Sequence, residues 1–398
     1  MVLVKKQDRV FGDWIVLICL IFSAYVSLTS DKLNFYALYV VLPFSFVVSF
    51  FQARRLFINK YLKLLIALYI WELISFAWAS YPEVSIREYQ RILGAFLISY
   101  IIAVQAKRDN IIIGLYSVFF VLYIGAWIYA SNQMLIVTDF EGSERLNDEK
   151  LNANTMAYYT TYVTYGVFVI AQIIKSKFWR KMFRILFFCM VPLSFFTALT
   201  TASRQIIIIQ LPTILLLIWQ RYLQHSKKQK KIFYVMLLLV AVIIIIPIVA
   251  DTYQNSFLAQ RAETSIEDDS RTFLLQESIK VGFQHFPLGV GAGNYLMYSK
   301  TRHFSHNSYA ELFANVGIVG LVLYLMLIMS FISLQWNRYR RTNDKMFTSF
   351  LIFGIIYAID QLFYVFYTDL WLISFFILVA THSDSYYKRH YSKKLMNE

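Results

Sequence analysis

Long apolar runs recur along most of this 398-residue chain, and they constrain its fold more than any other feature. A bilayer core about 30 Å thick needs roughly 20 apolar residues for each helical crossing. Lipid offers no hydrogen-bonding partner to the backbone, so each run must satisfy its own backbone groups as a helix. We therefore predict one all-α integral membrane domain over residues 1–398, with about twelve transmembrane helices. The predicted crossings are 11–29, 33–51, 61–79, 90–106, 111–130, 153–174, 183–200, 205–220, 232–250, 308–333, 346–361 and 369–382.

The net charge of +14 is unevenly distributed between the predicted loops. If the N-terminus is cytoplasmic, most basic residues fall in inside loops, whereas most acidic residues fall outside. This bias is typical of multi-pass membrane proteins, and it predicts that both termini are cytoplasmic. We interpret basic runs such as Lys227 to Lys231 as topology signals, so no nucleic-acid partner is expected. Cys19 and Cys189 lie inside predicted helices, and the first apolar run lacks a cleavage site and is expected to be retained.

Residues 251–307 form the longest predicted loop, between the ninth and tenth crossings and on the outside face. Within it, residues 271–286 carry apolar side chains at helical spacing, which predicts an amphipathic helix on the membrane or on the bundle. Pro287 is expected to end that helix. The glycine-rich segment 288–294 follows no strand, so we interpret it as a flexible turn and not as a nucleotide-binding loop.

Several polar residues on the predicted outside face could bind a substrate. Arg204, in the tight hairpin 200–205, is either a snorkelling anchor or a residue that binds a diphosphate. A guanidinium can bind a diphosphate through two parallel hydrogen bonds. Arg271 begins the predicted amphipathic helix, where a positive charge is disfavoured by the helix dipole. It therefore either pairs with Asp268 or Asp269 or faces an anionic ligand. The candidates are Arg87, Arg91, Arg145, Arg204, Arg261 and Arg271.

His306 and Asn307 stand where a polar loop becomes a long apolar helix, and nine residues separate them from Gly317. An imidazole here is either an interfacial anchor or a general base, because the helix N-terminus favours the neutral ring that a base requires. Gly317 and Gly320, with Ala314, predict a small-residue face for close helix packing.

Two acidic residues, Glu72 and Asp360, lie within predicted crossings. Ionisable groups in lipid are costly and often functional. We expect each to form a structural pair with an arginine or tyrosine, with a proton path as the alternative. The outside loops contain no histidine–cysteine cluster or DxD-like carboxylate pair, so neither a metal nor another cofactor is predicted.

These landmarks together resemble the O-antigen ligase and polysaccharide polymerase superfamily of bacterial envelope proteins. His306-Asn307 through Gly317 and Gly320 resembles its His-[Asn/Ser/Gln]-x9-Gly-x-x-Gly signature, and Ser203-Arg204 resembles its Ser-Arg turn. Arg271 resembles the arginine that opens its loop helix, and residues 286–294 resemble its Pro-x-x-Gly-x-Gly segment. Arg145 with Asn152 to Asn154 is a weaker match.

The resemblance implies metal-independent glycosyl transfer at the outer face of the bacterial inner membrane. An undecaprenyl-diphosphate-linked oligosaccharide would serve as donor and, in a polymerase, also as acceptor. His306 would be the base, Arg204 and Arg271 would bind the diphosphate, and Arg87, Arg91, Arg145, Asn154, Arg261 and Asn307 would be substrate-binding candidates. A chain-length regulator and a flippase are further partners that the family suggests.

Three functions remain open from the sequence. A polymerase for O-antigen, capsule or exopolysaccharide is favoured, because such proteins are numerous and diverse. A ligase would instead transfer the finished glycan to a terminal lipid or protein acceptor. A small-anion transporter belongs to a different class and would use Glu72 and Asp360, although the chain lacks the repeated halves and broken helices common in transporters.

Overall fold

The computed structural model describes residues 6–53, 57–108, 111–132, 153–201, 209–223 and 270–395. Within these ranges every regular element is helical. The α-helices are α1 Lys6–Thr29, α2 Asp31–Tyr36, α3 Leu42–Ala53, α4 Lys60–Ile74, α5 Pro82–Gln105, α6 Ile112–Asn132, α7 Ala153–Ile173, α8 Lys177–Thr201, α9 Leu211–Ile218, α10 Ser270–Gln284, α11 Tyr295–Tyr298, α12 Ser308–Thr342, α13 Lys345–Asp360 and α14 Leu370–Leu395. π-Helical turns, Ala37–Val41 and Trp219–Leu223, follow α2 and α9, and a 3₁₀ turn, Ser75–Trp78, extends α4.

The helices coincide with the predicted crossings wherever both can be compared. Five spans in the described part of the chain are long and apolar enough to cross a membrane, namely Phe11–Thr29, Asp31–Ala53, Lys60–Trp78, Ile112–Asn132 and Ser308–Thr342. The all-α membrane fold is therefore confirmed. The number of crossings stays a prediction, and the ninth predicted segment, 232–250, lies outside the described residues.

α14 forms the centre of the molecule. Every residue from Trp371 to Ser383 is buried, as expected for an apolar helix surrounded by other helices. It packs on α5, α13, α6, α4, α7 and α12. Aromatic rings fill the contacts, with Tyr162 stacked on Phe375 at 5.3 Å between centroids and Tyr357 tilted on Phe376 at 4.6 Å. Aromatic packing of this kind contributes beyond the area it buries, and it fixes the helices around the centre.

α12 is broken near its start, at Val316 and Gly317, where the backbone leaves helical geometry. The break frees backbone groups, and the glycine-rich segment satisfies them. Val290 N donates to Ala314 O at 2.9 Å, Gly291 N donates to Asn315 O at 2.7 Å, and Ile318 N donates to Pro287 O at 3.1 Å. Buried backbone groups need such partners, so these bonds lock the segment and the break together.

Gly317 has a φ of +68°, and a Cβ at this position would collide with the carbonyl of Pro287. The prediction of an unbroken helix with a small-residue face is therefore wrong at Gly317, which marks the break and contacts a loop. Gly320 lies on a helical turn and approaches Trp71 of α4, so close packing of this glycine against a neighbouring helix is confirmed. The segment 288–294, expected to be a flexible turn, is instead fixed by hydrogen bonds, since Ala292 N donates to Ser75 Oγ at 2.9 Å and Asn294 Oδ1 accepts from Tyr81 N at 2.8 Å.

α10, Ser270–Gln284, confirms the helix predicted within residues 271–286. Leu274, Ser278 and Val281 are buried, and α10 packs on α12. Phe273 and Phe283 are exposed, although the ring of Phe283 still lies 5.1 Å from that of Phe313 on α12. The helix therefore rests on the bundle and presents a second apolar face outward.

Candidate active site

A cavity of about 510 Å³ opens beside the loop that leads into α12. One wall comes from α1 to α3, where Leu28, Leu38 and Leu42 lie beside the polar side chains of Ser23, Ser27 and Asn34. The opposite wall carries ionisable and polar side chains from α5, α12 and the start of α14. These are Glu88, Arg91, His306, Glu311, Asn315, Thr368 and Asp369. A cavity with these two walls can accommodate a molecule that has both a lipid part and a polar part.

His306 occupies a sharp turn in the loop before α12. Its φ of +55° lies in the left-handed region, which few residues other than glycine adopt. Inside the turn, Ser305 Oγ donates to Asn307 O at 2.9 Å and accepts from Asn307 N at 3.2 Å. The ring itself is half-buried and lines the cavity. Such a conformation persists only when its surroundings enforce it, which is typical of functional sites.

Glu311, in the first turn of α12, stabilises this turn through a hydrogen bond. The residue is 2% exposed, and its Oε2 accepts a hydrogen bond from Ser305 N at 2.6 Å. A short bond between a buried carboxyl group and a backbone amide is strong, so it fixes Ser305 relative to α12. His306 is the next residue, and its position therefore depends on Glu311.

Asn307 and Ser308 anchor the start of α12 to the loop between α13 and α14. Asn307 Oδ1 accepts from Tyr309 N and Ala310 N, both at 3.0 Å, and thus caps the helix. Asn307 Nδ2 donates to Leu362 O at 3.3 Å, and Ser308 Oγ donates to Tyr364 O at 2.8 Å. Both residues are buried. Their polar atoms are used within the protein, so we assign them to holding the His306 turn in place.

Arg91 brings a cation to the same cavity from α5. Its guanidinium lies 5.9 Å from the ring centre of Phe304 in the His306 loop. It also pairs with Glu88 one turn earlier on the helix, at 3.4 Å, and the Arg91 side chain remains 52% exposed. Burial raises the pKa of the Glu88 carboxyl group, although Arg91 and a hydrogen bond from Thr368 oppose that rise. Arg91 therefore has the exposure that contact with a ligand requires.

Asp369 contributes a third carboxyl group to the cavity. Its Oδ1 accepts from the backbone N–H groups of Trp371 and Leu372, both at 3.0 Å, which caps α14. Within the described ranges, His, Cys, Asp and Glu side chains form no group of three placed to share a metal ion.

The other predicted site residues lie in different places. Arg87 is exposed on α5 and does not line the cavity, and Arg271 is half-buried in the first turn of α10, also outside the cavity lining. Asn154 lies in the first turn of α7. Arg145, Arg204 and Arg261 lie outside the described residues. The structure thus brings His306 and Arg91 together and leaves the other assignments as predictions.

Glu88 and Glu311 were not predicted from the sequence. Glu311 had a detectable signal, because an acidic residue in the first turn of a long apolar helix needs a partner. Glu88 had a weaker one, since it lies three residues before Arg91 and hence on the same face of a helix. Asp369 was also missed, although an aspartate before an apolar run is a common helix cap.

Asp360 and Glu72, the two acidic residues within predicted crossings, differ in their hydrogen bonds. Asp360 is 1% exposed, and its Oδ2 accepts a hydrogen bond from Tyr162 Oη at 3.1 Å, so the predicted pairing with a tyrosine is confirmed. Glu72 is equally buried, but its carboxyl oxygens have no hydrogen-bond partner among the described residues. The predicted pairing of Glu72 with an arginine or tyrosine is therefore wrong within that part of the chain.

A family model described as O-antigen ligase matches residues 185–325. The matched region contains Arg271, the segment 286–294 and the stretch from His306 to Gly320, which are the landmarks that carry the resemblance. The resemblance to the O-antigen ligase and polymerase superfamily is thus confirmed, and it indicates a bacterial membrane enzyme of polysaccharide assembly with glycosyltransferase-like activity. No curated protein matches the chain.

Proposed function

We propose that this protein is a polysaccharide polymerase that joins undecaprenyl-diphosphate-linked repeat units at the outer face of the inner membrane. The observation that carries the proposal is the shared cavity of His306 and Arg91, whose lining combines a group of leucines with a group of ionisable side chains. A lipid-linked saccharide has this same division between an apolar chain and a charged, hydroxyl-rich end. Transfer would require no metal ion or other cofactor.

In the proposed reaction, His306 takes a proton from a hydroxyl group of the acceptor sugar. The hydroxyl oxygen forms a bond to the anomeric carbon of the donor, and the bond from that carbon to the diphosphate breaks. A neutral imidazole suits the first step, and the rigid turn around it holds the ring ready for proton transfer. His306 then carries the proton, which it can release to water after the polymer has moved on.

The leaving diphosphate needs positive charge, and we assign Arg91 to it on the evidence of the cavity. Arginine stays charged and offers two parallel hydrogen bonds to phosphate oxygens, so it can stabilise the charge that develops on the leaving group. Arg204 and Arg271 are proposed for the same task by resemblance to the superfamily. Arg145, Asn154 and Arg261 remain proposed substrate contacts.

A ligase is the second candidate within the same chemistry. The donor and the roles of His306 and Arg91 would be unchanged, and only the acceptor would differ. The O-antigen ligase description of the matching family model favours this candidate. A small-anion transporter is less well supported, because Asp360 is engaged by Tyr162 inside the bundle and does not line the cavity.

The decisive experiment uses purified protein and lipid-linked repeat units with no other acceptor. Elongation of the units would support a polymerase, and elongation only after addition of a terminal acceptor would support a ligase. His306→Ala should lower the rate at least about a hundredfold, the lower range for a general base. His303→Ala is the matched control, since His303 is exposed in the same loop and does not line the cavity. Full activity in folded His306→Ala protein would exclude the proposed base.

Arg91 can be tested in the same assay. Arg91→Ala should weaken use of the lipid-linked donor roughly tenfold or more, as expected for the loss of a charge-assisted hydrogen bond. Lys280→Ala removes a positive charge from an exposed position on α10, outside the cavity lining, and should change the rate less than about twofold. Equal effects of the two variants would exclude a specific role for Arg91.

A further inference from the structure

A second cavity, of about 610 Å³, lies at the other end of α12 from His306. Its lining includes Asp344 and Lys345, which follow the last turn of α12, whereas His306 precedes the first turn. After the break at Gly317, α12 continues as a helix to residue 342, and a rise of 1.5 Å per residue makes this part alone roughly 37 Å long. The two cavities are therefore separated by more than the thickness of a bilayer core, so they face opposite sides of the membrane.

Basic side chains from four separate elements converge on this second cavity. Lys175 follows α7, Arg221 lies in the π-helical turn after α9, Lys345 begins α13, and Arg389 and His390 belong to the last turns of α14. The tendency of basic residues to lie on the cytoplasmic side explains which face they occupy. It does not explain why residues so distant in sequence meet around one cavity.

Asp344 is the acidic residue in the described lining of this cavity, and both of its carboxylate oxygens accept hydrogen bonds from the protein. Asp344 Oδ2 accepts hydrogen bonds from Tyr386 Oη at 3.0 Å and Tyr391 Oη at 2.8 Å. Asp344 Oδ1 accepts from Met346 N at 2.9 Å, which caps α13. With its oxygens used in this way, Asp344 offsets only part of the surrounding positive charge. Burial lowers the pKa of Lys345, and the nearby positive charge of Arg221 lowers it further.

The floor of the cavity is polar, and part of its wall is apolar. Gln220, Ser349 and His382 are buried there, and Ser349 Oγ donates to Gln220 Oε1 at 3.1 Å. Ile113 and Phe168 are among the apolar lining residues. A ligand with an anionic head and an attached apolar portion would match both kinds of surface.

We propose that this second cavity binds a phosphate-bearing anion at the face opposite His306. Phosphate oxygens suit a ring of lysine and arginine donors, and basic pockets between helices on the cytoplasmic side are typical sites for anionic lipid headgroups. The same chemistry would accept the headgroup of an anionic phospholipid or a free phosphate or pyrophosphate. The proposed site is independent of the polymerase reaction.

The test measures thermal unfolding of delipidated, full-length protein in detergent. The added probes are phosphatidylglycerol in mixed micelles, inorganic phosphate or pyrophosphate, and phosphatidylcholine, whose headgroup has no net charge. We expect at least one anionic probe to raise the midpoint by several degrees in a saturable manner, and phosphatidylcholine to leave it nearly unchanged. Removing two cavity cations, in Lys345→Gln/Arg389→Gln, should weaken the apparent affinity at least about tenfold.

The matched control is Arg340→Gln/Arg341→Gln, because both residues are exposed in the last turn of α12 and neither lines the cavity. It should keep the wild-type affinity within about twofold. If the first variant does not fold, Lys175→Gln/Arg221→Gln tests the same charge from two other elements.

Each outcome has a definite meaning. A response to phosphatidylglycerol alone would identify a lipid headgroup, and a response to phosphate or pyrophosphate alone would identify a soluble anion. Either result, lost in the cavity variants and kept in the control, supports the site. The proposal is overturned if no anionic probe shifts the midpoint, or if the cavity and control variants respond equally.

Discussion

At the scale of single residues, the site depends on a carboxyl group that need not touch the substrate. Glu311 is buried and receives the backbone N–H of Ser305, while His306 stands next in the chain in a left-handed conformation. This hydrogen bond opposes relaxation of the turn, together with those made by Asn307 and Ser308. We therefore regard Glu311 as a positioning residue and His306 as the proposed catalytic one.

Glu311→Ala should lower the turnover rate of the polymerase assay roughly a hundredfold, because a displacement of about 1 Å at the reacting group can cost that much. Glu311→Gln keeps a carbonyl oxygen that can accept from Ser305 N, so it should retain most of the rate. Recovery in the glutamine variant separates positioning from proton transfer, since an amide cannot act as a general base. If Glu311→Gln is as impaired as the alanine variant while still folded, the carboxyl group has a direct chemical role.

The sequence predicted the proposed catalytic residues of the cavity but not the residues that position them. His306 and Arg91 could be predicted, because an imidazole at a helix start and a cation on the outside face are unusual in themselves. Glu88 was missed because its contact with Thr368 is created by tertiary packing, and Glu311 because its bond to Ser305 depends on the sharp turn at His306.

At the scale of elements, the break in α12 shows where sequence patterns stop being informative. Hydropathy alone predicts one continuous helix through residues 308–333, since nothing in the apolar run marks an interruption. The break is stabilised by segment 287–291, whose backbone replaces the lost hydrogen bonds of Ala314 and Asn315. Two of the motifs that resemble the superfamily, segment 286–294 and the stretch from His306 to Gly320, are thus joined to each other by backbone hydrogen bonds. Helix positions follow from local sequence, whereas this contact does not.

Gly317→Ala should destabilise the protein by about 2–4 kcal/mol, because alanine is strained at a φ of +68° and its Cβ would collide with the Pro287 carbonyl. The midpoint of thermal unfolding in detergent measures the loss. Gly166→Ala provides the control, since Gly166 lies inside α7 and a Cβ there would make ordinary contact with Tyr116. We expect that variant to be unchanged or slightly more stable, as alanine favours helices. Equal stability of the two variants would mean that the break does not require glycine.

At the scale of the whole molecule, α12 links two cavities that differ in charge as well as in position. The His306 cavity carries three carboxyl groups with one arginine, and the second cavity carries several cations around one engaged carboxylate. This asymmetry agrees with the charge bias of the loops, which places basic residues on the cytoplasmic side. The proposed chemistry would then occur outside, away from cytosolic nucleotide sugars, and must use a donor that is already attached to lipid.

This orientation can be tested by labelling two positions near the ends of α12. His303 and Arg340 are both exposed, so cysteines at these positions should be reachable by reagent without disturbing the core. The native Cys19 and Cys189 are first replaced by alanine, since neither forms a disulfide. With an impermeant maleimide on intact spheroplasts, His303→Cys should react and Arg340→Cys should react only after the membrane is opened. The reverse pattern would invert the topology and place His306 in the cytoplasm, and labelling of both from one side would show that α12 does not cross the bilayer.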